Sequence, residues 1–235
     1  GDEKTFLGET GTFNGEDIVD IIVKKEATAR FIGRRLFQFF AADEIDEEGE
    51  TVVEAMMESF FDSDCEIRSM LRTLFRSDYF RSERARFARV KGPVEFVVGA
   101  LRTAGSYRTP TLEISKLVSR AGFMGQTLIN PPSVEGWHQG VEWVDTGTAV
   151  ERINYAAEHL GDSGNPGVQT MADSVLSDQS ENLSPEDLVQ GCLDQLGAIS
   201  VSDNTRSALV EYAVREGQVT WNGDRDQATR RVVEM

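Results

Sequence analysis

Apolar residues recur every three or four positions along most of this 235-residue chain, which is the spacing of one face of an α-helix. The pattern is clear at Val53, Met56, Met57 and Phe60. Helix-start signals precede several such stretches, for example Asn14 followed by acidic residues. No stretch alternates convincingly as a strand does. We therefore predict an all-α fold, an irregular multi-helix domain with a smaller C-terminal helical appendage and little or no β-structure.

The periodicity also predicts particular elements. We expect one helix to follow Asn14 and run up to Ala42, and a later helix to open with Ser63 and Glu66 as a capping box and to turn Phe75 inward. Two consecutive prolines at residues 131–132 exclude a helix there and predict an ordered or extended loop.

The amino-acid composition of the sequence changes after residue 161. Residues 161–167 are rich in glycine, asparagine, aspartate and proline, which is typical of turns, and aromatic residues become scarce beyond them. We predict a main helical body at residues 1–161, a linker at residues 162–167 and a smaller helical appendage at residues 168–235.

Composition excludes several classes of protein. The chain carries 40 acidic and 24 basic residues, a net charge of −16, which argues against general binding to nucleic acid. No apolar run approaches the roughly 18–20 residues that a membrane span needs. Cys65 and Cys192 cannot form a disulfide framework or a cysteine metal site, and His138 and His159 fit no ligand spacing. We predict no metal site and no cofactor.

Basic residues are concentrated in one segment. Between residues 68 and 91 there are eight basic residues against two acidic ones, Asp78 and Glu83. Arg68, Arg72 and Arg76 repeat every four residues and so share one helix face. This face predicts a site for an anionic group, held by the fork of an arginine. The alternative is that these arginines pair with carboxylates of neighbouring helices or with an absent part of the protein.

A second candidate is the stiff loop around Trp137 and Trp143. Tryptophans on a rigid loop can form a platform for a sugar or a peptide, or they can fill the core. Nearby, Lys91 and Glu95 are four residues apart and form either an ion pair at a helix start or a lysine tuned for acid–base work. The full set of candidate binding residues comprises Arg68, Arg72, Arg76, Lys91, Glu95, Gln126, Asn130, Trp137 and Trp143.

Several stretches together resemble a known family. They are KTFLG at residues 4–8, ARFI at residues 29–32, VKGPVEFVVGALR at residues 90–102, MGQ at residues 124–126 and NPPSVEGW at residues 130–137. In that order they resemble the C-terminal half of the bacterial domain-of-unknown-function family 1800, over residues 4–160. Relatives more often carry serine at the position of Gly92, so the resemblance transfers no hydroxyl role to it.

The resemblance implies a bacterial source and an exported or envelope-associated location. The first residue is Gly1 rather than methionine, and residues 230–235 read as a helix still in progress, so we expect a piece of a longer protein. We also expect it to pack against a missing N-terminal helical half.

Three functions stay open at this point. The first is binding of an anionic ligand or a partner protein through the arginine helix and the proline–tryptophan loop. The second is part of a hydrolase acting on a charged polymer, with catalytic residues shared with the missing half. The third is a purely structural assembly module. Whether the chain is an enzyme is left undecided, and no catalytic residue is assigned.

Overall fold

The computed structural model of the chain describes residues 2–107, 109, 112–177, 182–197, 199–215, 219–220 and 225–235. Within these residues there are eleven α-helices and two small antiparallel sheets of two strands each. The all-α prediction is therefore confirmed. The chain divides into two compact units, the first comprising Gly1–Lys91 with His138–Glu142, and the second comprising Gly92–Trp137 with Trp143–Met235.

The first unit begins with a β-hairpin and continues as four helices. Its elements are β1 Lys4–Phe6, β2 Glu9–Gly11, α1 Gly15–Val23, α2 Glu26–Phe40, α3 Glu47–Asp62 and α4 Ile67–Arg76. Strands β1 and β2 pair antiparallel, with Thr5 opposite Thr10. Helix α3 packs against both α2 and α4. This order places α4, with its arginines, at the end of a three-helix layer.

The core of the first unit lies where α2, α3 and α4 meet. Six large side chains in it are at most 2% exposed, namely Phe37, Val53, Met56, Phe60, Met70 and Leu74. Gly33 of α2 faces this core, because a Cβ there would lie 3.3 Å from the Met70 methyl group. Helix α3 is also tied to α2 by ion pairs from Arg30 and Arg34 to Glu50.

The single helix expected between Asn14 and Ala42 is in fact two helices. Asn14 does cap the first of them, accepting hydrogen bonds from the backbone of Glu16 and Asp17. The break lies at Lys25, whose backbone is extended and whose Nζ donates to the carbonyl oxygen of Leu7 in the hairpin turn. The break in the helix thus coincides with a contact between Lys25 and the hairpin.

The predicted start of α4 was also wrong. Asp64 and Cys65 have left-handed backbone angles, φ 58° and 66°, so α4 begins only at Ile67. Ser63 instead closes α3, with its Oγ donating to the carbonyl oxygen of Ser59, although it also accepts the amide of Glu66.

The second unit contains seven α-helices and one short sheet. Its elements are α5 Pro93–Ala104, α6 Ile114–Phe123, α7 Thr146–Leu160, α8 Pro166–Ser177, β3 Asn182–Leu183, α9 Pro185–Gln195, α10 Asp203–Arg215, β4 Val219–Thr220 and α11 Arg225–Glu234. A short 3-10 helix at Gly140–Trp143 precedes α7 in the chain; its first three residues belong to the first unit and Trp143 to the second. One core joins α5, α6 and α7 around Tyr155, and another joins α8 to α11 around Leu188.

The turn between α7 and α8 is held in place by hydrogen bonds. The side chain of Asn165 donates to the carbonyl oxygen of His159 and accepts from the hydroxyl of Ser106. A Cβ on Gly167 would lie 2.1 Å from the carbonyl oxygen of Thr103, so α8 approaches α5 backbone to backbone. The proposed division of the chain at residues 162–167 stays a prediction.

Among the helices of the described residues, none combines the length and the apolar character that crossing a membrane requires.

Candidate binding surfaces

Helix α4 carries its three arginines on the solvent side. Met70 and Leu74 are fully buried, and Arg68, Arg72 and Arg76 lie on the opposite face of the helix, all exposed. Arg68 has a distant carboxylate partner, with its Nε 3.9 Å from Glu66. The side chains of Arg72 and Arg76 form no ion pair within the part of the chain that the structure describes.

Most arginines in the rest of the basic segment lie close to carboxylates. Arg84 contacts Asp46 at 2.9 Å and Glu48 at 3.4 Å. Arg81 contacts Asp78 at 3.0 Å. Arg86 lies 3.3 Å from the carboxylate of Glu83, and Arg89 lies 3.9 Å from that of Asp43. Positive charge is therefore concentrated on α4 rather than along the whole segment.

Aromatic rings lie beside these arginines. Phe39, Phe40 and Phe75 are 58%, 38% and 40% exposed, so the expectation that Phe75 faces inward was wrong. Their rings form a row, with centroids 4.7 Å apart between Phe39 and Phe40 and 5.1 Å apart between Phe40 and Phe75. Phe75 is three residues after Arg72 and shares its side of α4. We call these six residues, Arg68, Arg72, Arg76, Phe39, Phe40 and Phe75, the arginine–aromatic surface.

The two tryptophans of the proline-containing loop are used differently from each other. Trp143 is 6% exposed, with its ring against Gly125. Trp137 is half-buried, and its indole Nε1 donates to the carbonyl oxygen of Thr127 at 3.2 Å. Trp143 thus acts as a core residue, and Trp137 retains one accessible face.

Two predicted site residues meet at the start of α5. Glu95 accepts a hydrogen bond from the backbone amide of Gly92 at 3.0 Å, and the amide oxygen of Gln126 accepts one from the amide of Val94, also at 3.0 Å. These amides are the ones that the first helical turn leaves without intrahelical partners. Glu95 and Gln126 therefore act as helix caps.

Lys91 and Asn130 are both exposed. Lys91 is the last residue of the first unit's main segment and is exposed. Asn130 is exposed in the loop, where its backbone amide donates to the carbonyl oxygen of Thr127. Within the second unit, the structure thus brings Glu95 together with Gln126.

Sequence reasoning missed a charged cluster on α6 and α7. Arg120 donates to Glu151 at 2.9 Å and to Glu158 at 2.8 Å. The hydrogen bond to Glu151 is the main reason that the pKa of Arg120 is raised. Tyr155, on the same helix as both glutamates, is fully buried, and burial raises its pKa to about 12. We call Arg120, Glu151, Glu158 and Tyr155 the Arg120 cluster. The sequence does not reveal it, because its members meet only through contacts between α6 and α7.

Comparison with known proteins gives one family. The model of the family described as "Protein of unknown function (DUF1800)" matches residues 1–232. The match is wider than the resemblance over residues 4–160 that the sequence motifs indicated, and it includes the helices after residue 167. No curated protein and no solved structure matched the chain. Because the family model covers nearly the whole chain, this protein belongs to the DUF1800 family.

Proposed function

We propose that this chain is a protein-binding domain whose arginine–aromatic surface takes an acidic segment with an apolar face from a partner protein. The observation that carries the proposal is the pairing of exposed, unneutralised arginines with exposed aromatic rings on one side of the first unit. Arg72 and Arg76 form no ion pair in the described part of a chain that has 40 acidic residues.

Charge explains one half of the recognition. An arginine guanidinium binds a carboxylate through two parallel hydrogen bonds, and such pairs strengthen when a partner excludes water. Arg72 and Arg76 are one helical turn apart, so they match carboxylates that are also one turn apart on a partner helix. Neighbouring carboxylates neutralise most of the following basic residues, and α4 therefore presents the charge available to a partner.

The aromatic rings explain the other half. Exposed apolar rings in contact with one another form a patch that a partner can cover, and aromatic residues with arginine are enriched at the centres of protein interfaces. Phe39 is partly covered by the guanidinium of Arg89, which lies 5.3 Å from its ring centroid. Phe75 lies on α4, and the ring of Phe40 contacts it from the end of α2. A partner's leucine or phenylalanine would meet these two rings.

The test uses a synthetic 16-residue peptide with leucine and phenylalanine at helical spacing and glutamate at the flanking positions. Fluorescence anisotropy of the labelled peptide measures its Kd for the wild-type chain and for Arg72→Gln/Arg76→Gln. We expect the double variant to bind at least about tenfold more weakly, which corresponds to about 1.4 kcal/mol. A matched control, Arg206→Gln/Arg215→Gln on α10, removes the same charge and should stay within about twofold of wild type.

Two further peptides separate charge from apolar contact. Replacing every glutamate by glutamine should abolish the salt dependence of binding, and replacing leucine and phenylalanine by alanine should abolish binding itself. Equal losses in the α4 and α10 double variants would contradict the proposal. So would full displacement of the peptide by pyrophosphate at concentrations near the peptide's own Kd, because the surface would then be a site for free anions.

A further inference from the structure

The second unit contains a concave cavity that the arginine–aromatic surface does not involve. Its volume is about 520 Å³ and its walls come from α7, α8, α9 and α11. The side chains that form most of the wall are apolar, among them Ala156, Leu160, Met171, Val175, Leu196 and Val233. Four helices therefore enclose this apolar cavity together. It differs in this respect from the exposed apolar face of a single helix.

Among the residues that the structure describes, few polar side chains line this cavity, and none of them is a cation. They are Cys192, Gln195 and Glu234. Burial raises the pKa of the Cys192 thiol to about 11, so the thiol is neutral at ordinary pH, and its Sγ lies 3.9 Å from the carbonyl oxygen of Val232. Glu234 is exposed, and its carboxylate already lies 3.7 Å from the guanidinium of Arg231. Within the described lining, a carboxylate or phosphate headgroup would therefore find no positive side chain to meet it.

Gln195 can orient a neutral headgroup. Its amide nitrogen donates to Ser174 at 3.1 Å, which fixes the amide plane. Its amide oxygen is an acceptor that the hydroxyl of a ligand can meet. Small-molecule sites commonly combine apolar walls with a small number of such placed polar groups.

The size of the cavity selects the occupant. A helix about 10 Å wide rises 1.5 Å per residue, so each of its residues occupies on the order of 120 Å³. The cavity would hold about four such residues, roughly one turn, which is too little for a docked helix. A volume of about 520 Å³ lies within the range of sites that bind drug-sized molecules.

We propose that the cavity between α7, α8, α9 and α11 binds one uncharged molecule with a medium-length hydrocarbon chain, such as a primary alcohol, with its hydroxyl at Gln195. Binding here is independent of the arginine–aromatic surface. The affinity comes from the burial of methylene groups, each of which strengthens binding about fourfold until the cavity is full.

The experiment titrates n-hexanol, n-octanol and n-decanol into the whole chain by calorimetry. We expect one site per chain and a gain in affinity of about 15-fold for each two added carbons. Ala156→Trp fills the cavity and should abolish saturable binding. Ala208→Trp is the matched control, because Ala208 is exposed on α10 and is not part of the cavity wall, and this variant should bind within about twofold of wild type.

An NMR measurement on the wild-type chain tests the site without any variant that could misfold. Decanol bound in the cavity should give intermolecular NOEs to the methyl group of Met171. The inference is overturned if no such NOE appears, if both tryptophan variants bind alike, or if decanoate binds as tightly as decanol. The variant Arg72→Gln/Arg76→Gln should retain decanol binding, so the outcome is separate from that of the partner-binding test.

Discussion

The arginine–aromatic surface of the first unit and the Arg120 cluster of the second unit contain the same kinds of residue in opposite environments. On α4, arginines lie beside exposed phenylalanine rings without a close carboxylate, whereas Arg120 is held between Glu151 and Glu158 next to the buried Tyr155. In the Arg120 cluster the charges and the ring stabilise the fold. On α4 they are exposed and contribute little to stability, so they remain accessible to the partner proposed above.

The two regions should differ most in the loss of unfolding free energy when one aromatic residue of each, Tyr155 or Phe75, is replaced by alanine. Tyr155→Ala removes a fully buried ring and should lower the free energy of unfolding by about 3–5 kcal/mol. Phe75→Ala removes a ring that is 40% exposed and should cost about 1 kcal/mol. Urea denaturation followed by circular dichroism measures both. If Phe75→Ala proved as costly as Tyr155→Ala, Phe75 would be a core residue and the contrast between the two regions would fail.

Replacing the arginines of the two regions should change the free energy of unfolding by smaller amounts. Arg120→Ala leaves Glu151, whose side chain is 23% exposed, without its partner, and we expect a loss of about 1–2 kcal/mol. Arg72→Ala and Arg76→Ala should each stay within about 0.5 kcal/mol of wild type. The same denaturation experiment applies to all three variants. A loss of more than 1 kcal/mol for Arg72→Ala would indicate a structural role for α4's charge.

The smallest effect concerns the hydroxyl of Tyr155. Within the described residues it has no hydrogen-bond partner, so Tyr155→Phe should leave the free energy of unfolding at pH 7 unchanged or higher by up to about 1 kcal/mol.

This variant should also change the pH dependence at high pH. The pKa of Tyr155 is raised from 10.0 to about 12, so the neutral form is favoured in the folded state. Its contribution to stability is present below pH 10 and is lost as the pH rises through 12. Cys192 titrates in the same region but is shared by both proteins, so the difference between wild type and Tyr155→Phe isolates the tyrosine. Parallel stability curves between pH 9 and pH 12 would show that the hydroxyl is solvated.

The features that the sequence predicted correctly are local ones. Asn14 begins α1 as expected, accepting hydrogen bonds from the backbone amides of Glu16 and Asp17, and the two prolines at residues 131–132 lie outside any helix. Both follow from interactions within a few residues.

The features that the sequence did not predict depend on distant contacts. Helix α2 starts at Glu26, just after Lys25, whose side chain contacts the hairpin, and helical periodicity does not reveal such a contact. Helix α7 begins after Asp145, whose side chain and that of Thr148 bond reciprocally to each other's backbone amides. The same limit applied to the binding surface. Its arginines were found from their spacing, but Phe75 was expected to face inward. The exposure of its ring depends on how α2 and α4 meet, which helical spacing does not show.

The most direct test of the partner-binding surface is to map the acidic peptide by NMR. The account predicts that titration shifts the side-chain Nε–Hε signals of Arg72 and Arg76 together with the ring signals of Phe40 and Phe75, and leaves the Nε–Hε signal of Arg120 in place. A peptide that bound while perturbing the Trp137 indole and not these four side chains would contradict it.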